Sequence, residues 1–221
     1  MGKKLAAFIK LTESIFEGIL EVIYPRENYC IVCGEEDCRC LCSKCRKSIR
    51  KINNTLDDKI ESYGYYGGVL KQLILKFKYY SDFTAGYILS ELLVDYILNN
   101  YRYEEFIITY IPLSKKSKKK RGFNQCQYLA ERISRDLNMC CKEVLIKRKD
   151  NKEQKKLKYN ERFENIKNIF ELKNSINIKD LKLIVIDDIT TSGATMEEAC
   201  RILKKYGAKE IKLLTLAKSQ I

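Results

Sequence analysis

One stretch indicates the fold more clearly than any other: Leu183-Ile184-Val185-Ile186-Asp187-Asp188-Ile189-Thr190-Thr191-Ser192-Gly193-Ala194-Thr195. Its first four residues are aliphatic and mostly β-branched, which predicts a strand that a parallel sheet buries on both faces, ending at the first Asp. From Thr195 the pattern becomes helical. This order of strand, turn and helix predicts an α/β protein built on a parallel sheet.

The turn between that strand and that helix has the composition of a phosphate site. Free backbone N–H groups and the dipole at a helix N-terminus hold phosphate, and a glycine lets the backbone come close to the anion. We therefore expect the turn to bind a ligand's 5′-phosphate through Thr190, Thr191, Ser192, Gly193, Ala194 and Thr195. The alternative is an ordinary strand–turn–helix unit with an acidic N-cap.

Two adjacent acids, Asp187 and Asp188, precede this turn. Carboxylates do not bind phosphate directly, but they accept hydrogen bonds from the two hydroxyls of a ribose, directly or through Mg²⁺. Together, the acids and the turn predict a site for a ribose phosphate.

The composition narrows the classes of partner and of chemistry. The chain has 221 residues, enough for one α/β domain with a small appendage. Its net charge of +13 favours nucleotides, pyrophosphate, nucleic acid or acidic lipid. There is no histidine, so a metal site must use Cys or carboxylate, and no His can act as general base. Scattered cysteines such as Cys126, Cys140, Cys141 and Cys200 are typical of small core residues in a reducing cytoplasm.

Four of the ten cysteines form two Cys-x-x-Cys pairs, Cys30 with Cys33 and Cys42 with Cys45, separated by eight residues. This spacing is typical of a small Cys₄ zinc knuckle, and we favour zinc over a redox or iron–sulfur site. Because all four ligand positions are filled by protein, the ion would be structural. Cys38 and Cys40 lie between the pairs, and either could replace one ligand.

Three segments follow from these patterns: an amphipathic helix over residues 1–28, the zinc knuckle over 29–54 and an α/β domain over 55–221. Lys10, Glu13 and Glu17 interrupt the apolar core that a signal peptide or membrane-spanning helix requires. The helix is expected to pack on the body of the protein; the alternatives are peripheral contact with a membrane and insertion into a partner's groove.

A basic segment follows the next predicted strand, residues 106–112. It is predicted to be a loop and to lie at the same sheet edge as Asp187, because the ends of parallel strands meet there. The segment is expected to neutralise a pyrophosphate or to follow a nucleic-acid backbone, whereas most charge runs are simply solvated. Its candidate binding residues are Lys115, Lys116, Arg121, Gly122 and Asn124.

The polar region from Leu145 to Phe170 leaves two interpretations open. It is either a hood that closes over a reactive sugar or a disordered surface loop.

The thirteen-residue stretch resembles the signature of type I phosphoribosyltransferases, which bind phosphoribosyl pyrophosphate (PRPP). Over nearly the full chain the sequence is similar to the ComF family of competence proteins. The motifs that carry this resemblance are the two Cys-x-x-Cys pairs, Lys76-Phe77-Lys78, Pro112-Leu113, Arg121-Gly122-Phe123-Asn124-Gln125, Gln154, Arg162, Asn165, Phe170 and the Asp187-Asp188 signature.

The resemblance implies a type I phosphoribosyltransferase-like parallel sheet flanked by helices, with a small N-terminal Cys₄ zinc subdomain. It also implies a cytoplasmic protein, at the inner face of the membrane in some settings, that serves the uptake of single-stranded DNA beside other competence proteins such as a DNA-import helicase. Two positions depart from related patterns. Ser114 stands where many family members carry His, and Thr191 stands where purine-salvage transferases carry a proton-accepting Asp.

Three functions therefore remain to be distinguished. The first is a phosphoribosyltransferase that binds PRPP, or a nucleotide 5′-phosphate, with Mg²⁺ on the pyrophosphate. The second is a module that binds single-stranded DNA through its basic residues and through tyrosines such as Tyr79 and Tyr80. The third is a scaffold with a vestigial pocket.

Overall fold

The computed structural model describes residues 28–147, 169–174 and 176–219. The predicted N-terminal amphipathic helix and most of the polar region between Leu145 and Phe170 lie outside these residues. In the described ranges, none of the helices combines the length and the apolar character needed to cross a bilayer.

Five parallel strands form the main sheet, as the aliphatic run predicts. Side by side they are β1 (Glu61–Tyr65), β7 (Glu210–Lys218), β6 (Lys182–Thr190), β2 (Phe106–Tyr110) and β3 (Cys140–Cys141). A separate antiparallel pair consists of β4 (Leu145–Lys147) and β5 (Phe170–Leu172). The central strand β6 contains the aliphatic run.

Helices cover both faces of this sheet. Those of the described residues are α1 (Ser43–Lys47), α2 (Gly68–Tyr80), α3 (Phe83–Asn100), α4 (Lys115–Arg121), α5 (Gln125–Asp136), α6 (Ala194–Lys205) and a 3₁₀ turn at Tyr103–Glu105. Ile184 and Ile186 pack into the core that contains α2, α3 and α5, whereas Leu183 and Val185 pack into the core that contains α6. The alternation of side chains along β6 thus fills both layers.

Strand β6 is longer than the aliphatic run predicts. Ladder pairing with β7 continues to Thr190, which lies opposite Lys218. Asp187 and Asp188 therefore belong to the strand, and the prediction that it ends before them is wrong. Pairing with a long neighbour outweighs the poor strand propensity of two aspartates.

The basic segment after β2 is a helix, so the prediction of a loop is wrong. Ser114 caps its N-terminus, where its Oγ accepts a hydrogen bond from the backbone N–H of Ser117 at 3.1 Å. Lysine and arginine are good helix formers, and Gly122, at φ +81°, ends the helix.

The cysteine-rich segment packs against the sheet edge. The backbone N–H of Tyr65 donates to Arg50 O at 2.9 Å, and that of Ile52 donates to Tyr63 O at 3.2 Å. Arg46 reaches α3, where it pairs with Asp95 at 2.9 Å and with Glu91 at 3.4 Å. This segment thereby covers the outer edge of β1 and shares the core of the α/β domain.

Candidate functional site

The strand order creates a crevice at the carboxyl ends of β2 and β6. From β2 the chain continues to β3 on one side, whereas β6 lies on the other side, which is a topological switch point. The backbone N–H of Ile111 donates to Ile186 O at 3.0 Å, so the two strand ends stay in register. Helix α4 follows β2, and the acids are part of the end of β6, so both belong to this edge.

Asp187 is buried at this edge, with 8% of its surface exposed. Its Oδ1 accepts hydrogen bonds from the Cys126 thiol at 3.3 Å and from the backbone N–H of Asp188 at 2.9 Å. Burial, helped by the neighbouring charge of Asp188, raises the pKa of Asp187 to about 7. Burial also raises the pKa of Cys126, so its thiol stays protonated and donates. In the described part of the chain, nothing hydrogen-bonds to Asp187 Oδ2.

Asp188 forms an ion pair with Lys78 of α2. Lys78 Nζ lies 2.7 Å from Asp188 Oδ2, and each side chain is only 15% exposed. Asp188 Oδ1 accepts from the backbone N–H of Ile189 at 2.8 Å. Although burial opposes its charge, the Asp188 carboxylate raises the pKa of Lys78 above its ordinary value. The second acid is therefore neutralised by a lysine from another element.

The hydroxyl-rich turn leads directly into α6. Gly193 has φ +80°, a backbone conformation that favours glycine, and a Cβ there would lie 2.8 Å from the end of the Ile60 side chain. The first helical hydrogen bond runs from Glu197 N–H to Gly193 O at 3.0 Å, which leaves the N–H groups before it without helical partners. Thr191 is exposed and Ser192 is half-buried. The turn can therefore accept an anion.

The basic helix contributes one half-buried cation and several exposed ones. Arg121 Nη1 donates to Gln125 Oε1 at 3.2 Å, and its guanidinium lies 5.9 Å from the Tyr79 ring centroid. Lys116 is exposed on α4, whose first residue is Lys115, and Gly122 follows the helix.

Asn124 has a structural role. It is buried, its Nδ2 donates to Ile111 O at 3.1 Å, and its Oδ1 accepts from Cys126 N–H at 3.0 Å. These bonds tie the N-terminus of α5 to the end of β2.

The sulfur atoms of the two Cys-x-x-Cys pairs, Cys30, Cys33, Cys42 and Cys45, lie within 4.8 Å of one another. Cys33 Sγ and Cys42 Sγ are 3.7 Å apart. A tetrahedral zinc ion with sulfur ligands at about 2.3 Å places neighbouring sulfurs about 3.8 Å apart. The donor set therefore fits a zinc knuckle.

The backbone around the cysteine cluster supports the same geometry. Gly34, at φ +78°, closes a turn in which its N–H donates to Cys30 O at 2.8 Å. Burial opposes ionisation of Cys30, yet backbone N–H groups, first that of Cys42, lower its pKa to about 6. Cys38 donates its thiol to Glu35 O at 3.3 Å, and neither it nor Cys40 belongs to the four-sulfur group.

The sequence identified the acids, the turn and the cysteine group, but it did not connect Lys78 and Cys126 with the acids. For Lys78 a signal existed. It continues the i, i+4 row of Leu70 and Ile74, both buried, so its charge lies on the apolar side of α2 and needs a partner. For Cys126 the helical pattern predicted burial correctly, but it carried no information about Asp187.

This crevice, with two acids, an anion-accepting turn and a basic helix on a parallel sheet, defines a phosphoribosyltransferase-like protein. The family described as "Phosphoribosyl transferase domain" matches residues 124–220, which contain α5, β6, the turn and α6.

The chain belongs to the ComF family of competence proteins. It is 31% identical over 193 residues to "Competence protein ComFC" of Bacillus subtilis (strain 168), covering 86% of this chain and 78% of the relative. It is 29% identical over 197 residues to "Competence protein F" of Haemophilus influenzae, covering 86% and 85%. A shorter match, 28% over 115 residues, is to "DNA utilization protein YhgH" of Escherichia coli (strain K12), covering 51% and 49%.

The buried carboxyl of Asp187 yields a prediction about pH and stability. Its folded-state pKa, about 7, lies above the value near 3.9 of an unfolded aspartate, so the folded chain holds more protons between these values. Stability is therefore lost as the pH rises from about 4 to about 7. The Asp187→Asn variant has no titrating group at this position. We therefore expect its free energy of unfolding, minus that of wild type, to be larger at pH 8 than at pH 5 by on the order of 3 kcal/mol. Parallel melting-temperature profiles of the two proteins between pH 5 and 8 would contradict this.

Proposed function

We propose that this protein binds PRPP, or a nucleotide 5′-phosphate, in the crevice between β2 and β6 and acts as a phosphoribosyltransferase-like protein. One observation carries the proposal. Asp187 and Asp188 lie near the carboxyl end of β6, a turn at the N-terminus of α6 follows after Ile189 and Thr190, and the basic helix α4 follows the neighbouring strand.

In this proposal the sugar, its 5′-phosphate and its pyrophosphate bind to different elements. The 5′-phosphate binds the N–H and hydroxyl groups of residues 190–195, which run from the last residue of β6 to the first turn of α6. The ribose hydroxyls donate to Asp187 and Asp188. The pyrophosphate, with Mg²⁺, binds to helix α4 and to the backbone at Gly122. The residues of α4 proposed for this role are Lys115, Lys116 and Arg121.

The chemistry that this arrangement favours is displacement at C1 of the ribose. The reaction passes through an oxocarbenium-like state, so anions fixed near the ring and cations on the departing pyrophosphate lower its barrier. Thr191 cannot accept a proton near neutral pH, so this position supplies no general base for an acceptor. Incubation with PRPP, Mg²⁺ and a panel of bases, followed by measurement of released pyrophosphate, tests for turnover.

The names of the relatives support a role in DNA uptake. Two relatives that align with 86% of this chain are competence proteins, and a shorter match is a DNA utilization protein. We propose that the protein acts in the cytoplasm, at the inner face of the membrane, with other competence proteins such as a DNA-import helicase. Nucleotide metabolism is the alternative setting for the same chemistry.

The second candidate function is binding of single-stranded DNA. Tyr79 and Tyr80 at the end of α2 are 62% and 79% exposed, and the Arg121 guanidinium lies over the Tyr79 ring. Aromatic rings beside cations suit the stacking of unpaired bases along a bound backbone.

Asp188→Asn is expected to weaken PRPP binding at least tenfold, because the amide lacks the charge that accepts a ribose hydroxyl and pairs with Lys78. Isothermal titration with PRPP and Mg²⁺ measures the change. Asp136→Asn, at the end of α5, is the matched control and should bind as wild type. An unchanged affinity of Asp188→Asn would remove the enzymatic proposal.

We propose zinc as the ion of the cysteine cluster, held by Cys30, Cys33, Cys42 and Cys45. Cys42→Ser should lower the bound zinc from about one equivalent to near zero and destabilise the protein strongly, since structural zinc contributes on the order of 10 kcal/mol to such segments. Metal analysis of the purified protein and its melting temperature measure both effects. Cys38→Ser is the control, and loss of zinc from that variant would mean that Cys38 is a ligand.

The nucleic-acid function predicts that replacing Tyr79 and Tyr80 together by Ala weakens binding of a single-stranded oligonucleotide about tenfold. Wild-type affinity should also fall steeply with salt. Fluorescence anisotropy at several salt concentrations measures both effects. Tyr206→Ala, which removes another exposed tyrosine at the end of α6, should have no effect. Equal and weak affinity for any polyanion would count against this function.

A further inference from the structure

We propose that Lys78 supplies at Asp188 the positive charge that a divalent cation would otherwise supply, so that ligand binding needs no metal bridge to the acids. The inference rests on the proposed function and concerns one class of ligand, a ribose 5-phosphate that carries a diphosphate at C1. In this arrangement magnesium binds only to the diphosphate and not to the acids.

The first support is the geometry of the pair. Lys78 Nζ lies 2.7 Å from Asp188 Oδ2, at a site where both side chains are 15% exposed. Asp188 Oδ1 already accepts the N–H of Ile189 at 2.8 Å. Both carboxylate oxygens thus have a fixed partner inside the protein. Such a pair differs from a solvent-exposed one, because removing either partner leaves a poorly solvated charge.

The second support is the exclusion of a metal from this oxygen. A magnesium ion bound to Oδ2 would lie about 2.1 Å from it and so compete with the ammonium for the same oxygen. The positive charge of Arg121 also acts on Lys78, since it opposes the raised pKa of that lysine. A divalent ion would add a further positive charge to this cluster. It can bind to Asp188 Oδ2 only by competing with Lys78.

The third support is the rigidity of the helix that carries Lys78. Leu70 and Ile74, in the same row of α2, are buried. The ring of Phe77 lies 5.1 to 6.2 Å, between centroids, from those of Phe83, Phe123 and Tyr128. Phe123 follows the basic helix directly, so one aromatic cluster fixes α2 relative to α4. Lys78 is held in place before any ligand arrives, which makes it a preorganised cation.

Lys78 can also contact the ligand itself. An ammonium group has three donors, and Asp188 uses one of them. The remaining donors and the nearby Arg121 can bind oxygens of a diphosphate placed beside the ribose hydroxyls. Lys78 would therefore lie between Asp188, which binds the sugar, and the departing diphosphate. A bridging metal would occupy the same position.

The acids would bind a metal more readily if Lys78 were removed. The ligand atoms of Cys126, Asp187 and Asp188 lie within 4.8 Å of one another. With the ammonium gone, the two neighbouring acids would lose the cation that pairs with Asp188. A divalent cation would then bind more tightly than in the wild-type protein, where it must compete with the Lys78 ammonium.

The test compares PRPP affinity with and without free metal. Isothermal titration is performed in EDTA and in millimolar MgCl₂ with wild type, Lys78→Met, Lys78→Arg and Lys76→Met. For wild type, EDTA should weaken binding less than about tenfold. For Lys78→Met, EDTA should weaken PRPP binding at least tenfold more than it does for wild type. Lys78→Arg, which keeps the charge, and the surface control Lys76→Met should show the same dependence on metal as wild type.

Direct binding of Mn²⁺, followed by electron paramagnetic resonance without ligand, gives an independent readout. Lys78→Met should bind Mn²⁺ at least tenfold more tightly than wild type, and the double variant with Asp188→Asn should lose this gain. Circular dichroism verifies the folding of each variant. If Lys78→Met does not fold, the wild-type PRPP affinities in EDTA and in MgCl₂ alone decide whether the inference holds.

Two results would overturn the inference while leaving the proposed function intact. They are a wild-type affinity for PRPP that falls more than about tenfold when EDTA replaces Mg²⁺, and an equal metal dependence of wild type and Lys78→Met. A wild type that binds no PRPP in either buffer would overturn both the proposed function and the inference.

Discussion

The position of two adjacent carboxylates in the central strand, one buried and one partly buried, is the constraint on which the rest of the site depends. Strand β6 is filled with aliphatic residues on both faces and then continues through Asp187 and Asp188. Charges at such a position are costly unless each has a partner. The two acids have different partners. The protonated thiol of Cys126 donates a hydrogen bond to Asp187, and the ammonium of Lys78 neutralises Asp188. Helices α5 and α2 therefore each contribute one partner to the acids in addition to their apolar packing.

The cysteine-rich segment contributes to the same arrangement from a distance. It covers the edge of β1 and holds α3 through Arg46, while α3 follows α2 after the short turn at Ser81 and Asp82. An ion in the cysteine cluster would therefore stabilise the layer of helices that carries Lys78. By this route a structural ion would affect the proposed ligand crevice without contacting it.

The sequence predicted the elements that local patterns encode. The aliphatic run, the Gly193 turn and the paired cysteines depend on neighbours in the chain, and the parallel sheet and the four-sulfur group are confirmed. The extension of β6 was not predictable, because it depends on the length of β7. The helical state of the basic segment could have been inferred from Ser114 as a cap. The partners of the two acids come from α2 and α5, 110 and 61 residues away in the chain, and only the fold brings them together.

The two candidate functions share one residue, and this limits how they combine. Arg121 lies over the Tyr79 ring on one side, bonds to Gln125 on the other and acts electrostatically on Lys78. A diphosphate in the crevice and a nucleic-acid backbone beside the tyrosines would both draw on this one guanidinium. Its charge cannot fully serve two polyanions at once, so filling one surface weakens the other unless a single ligand spans both. A strand whose 5′-phosphate enters the turn while its bases stack on α2 would use Arg121 once, and it would join the two functions in one binding event.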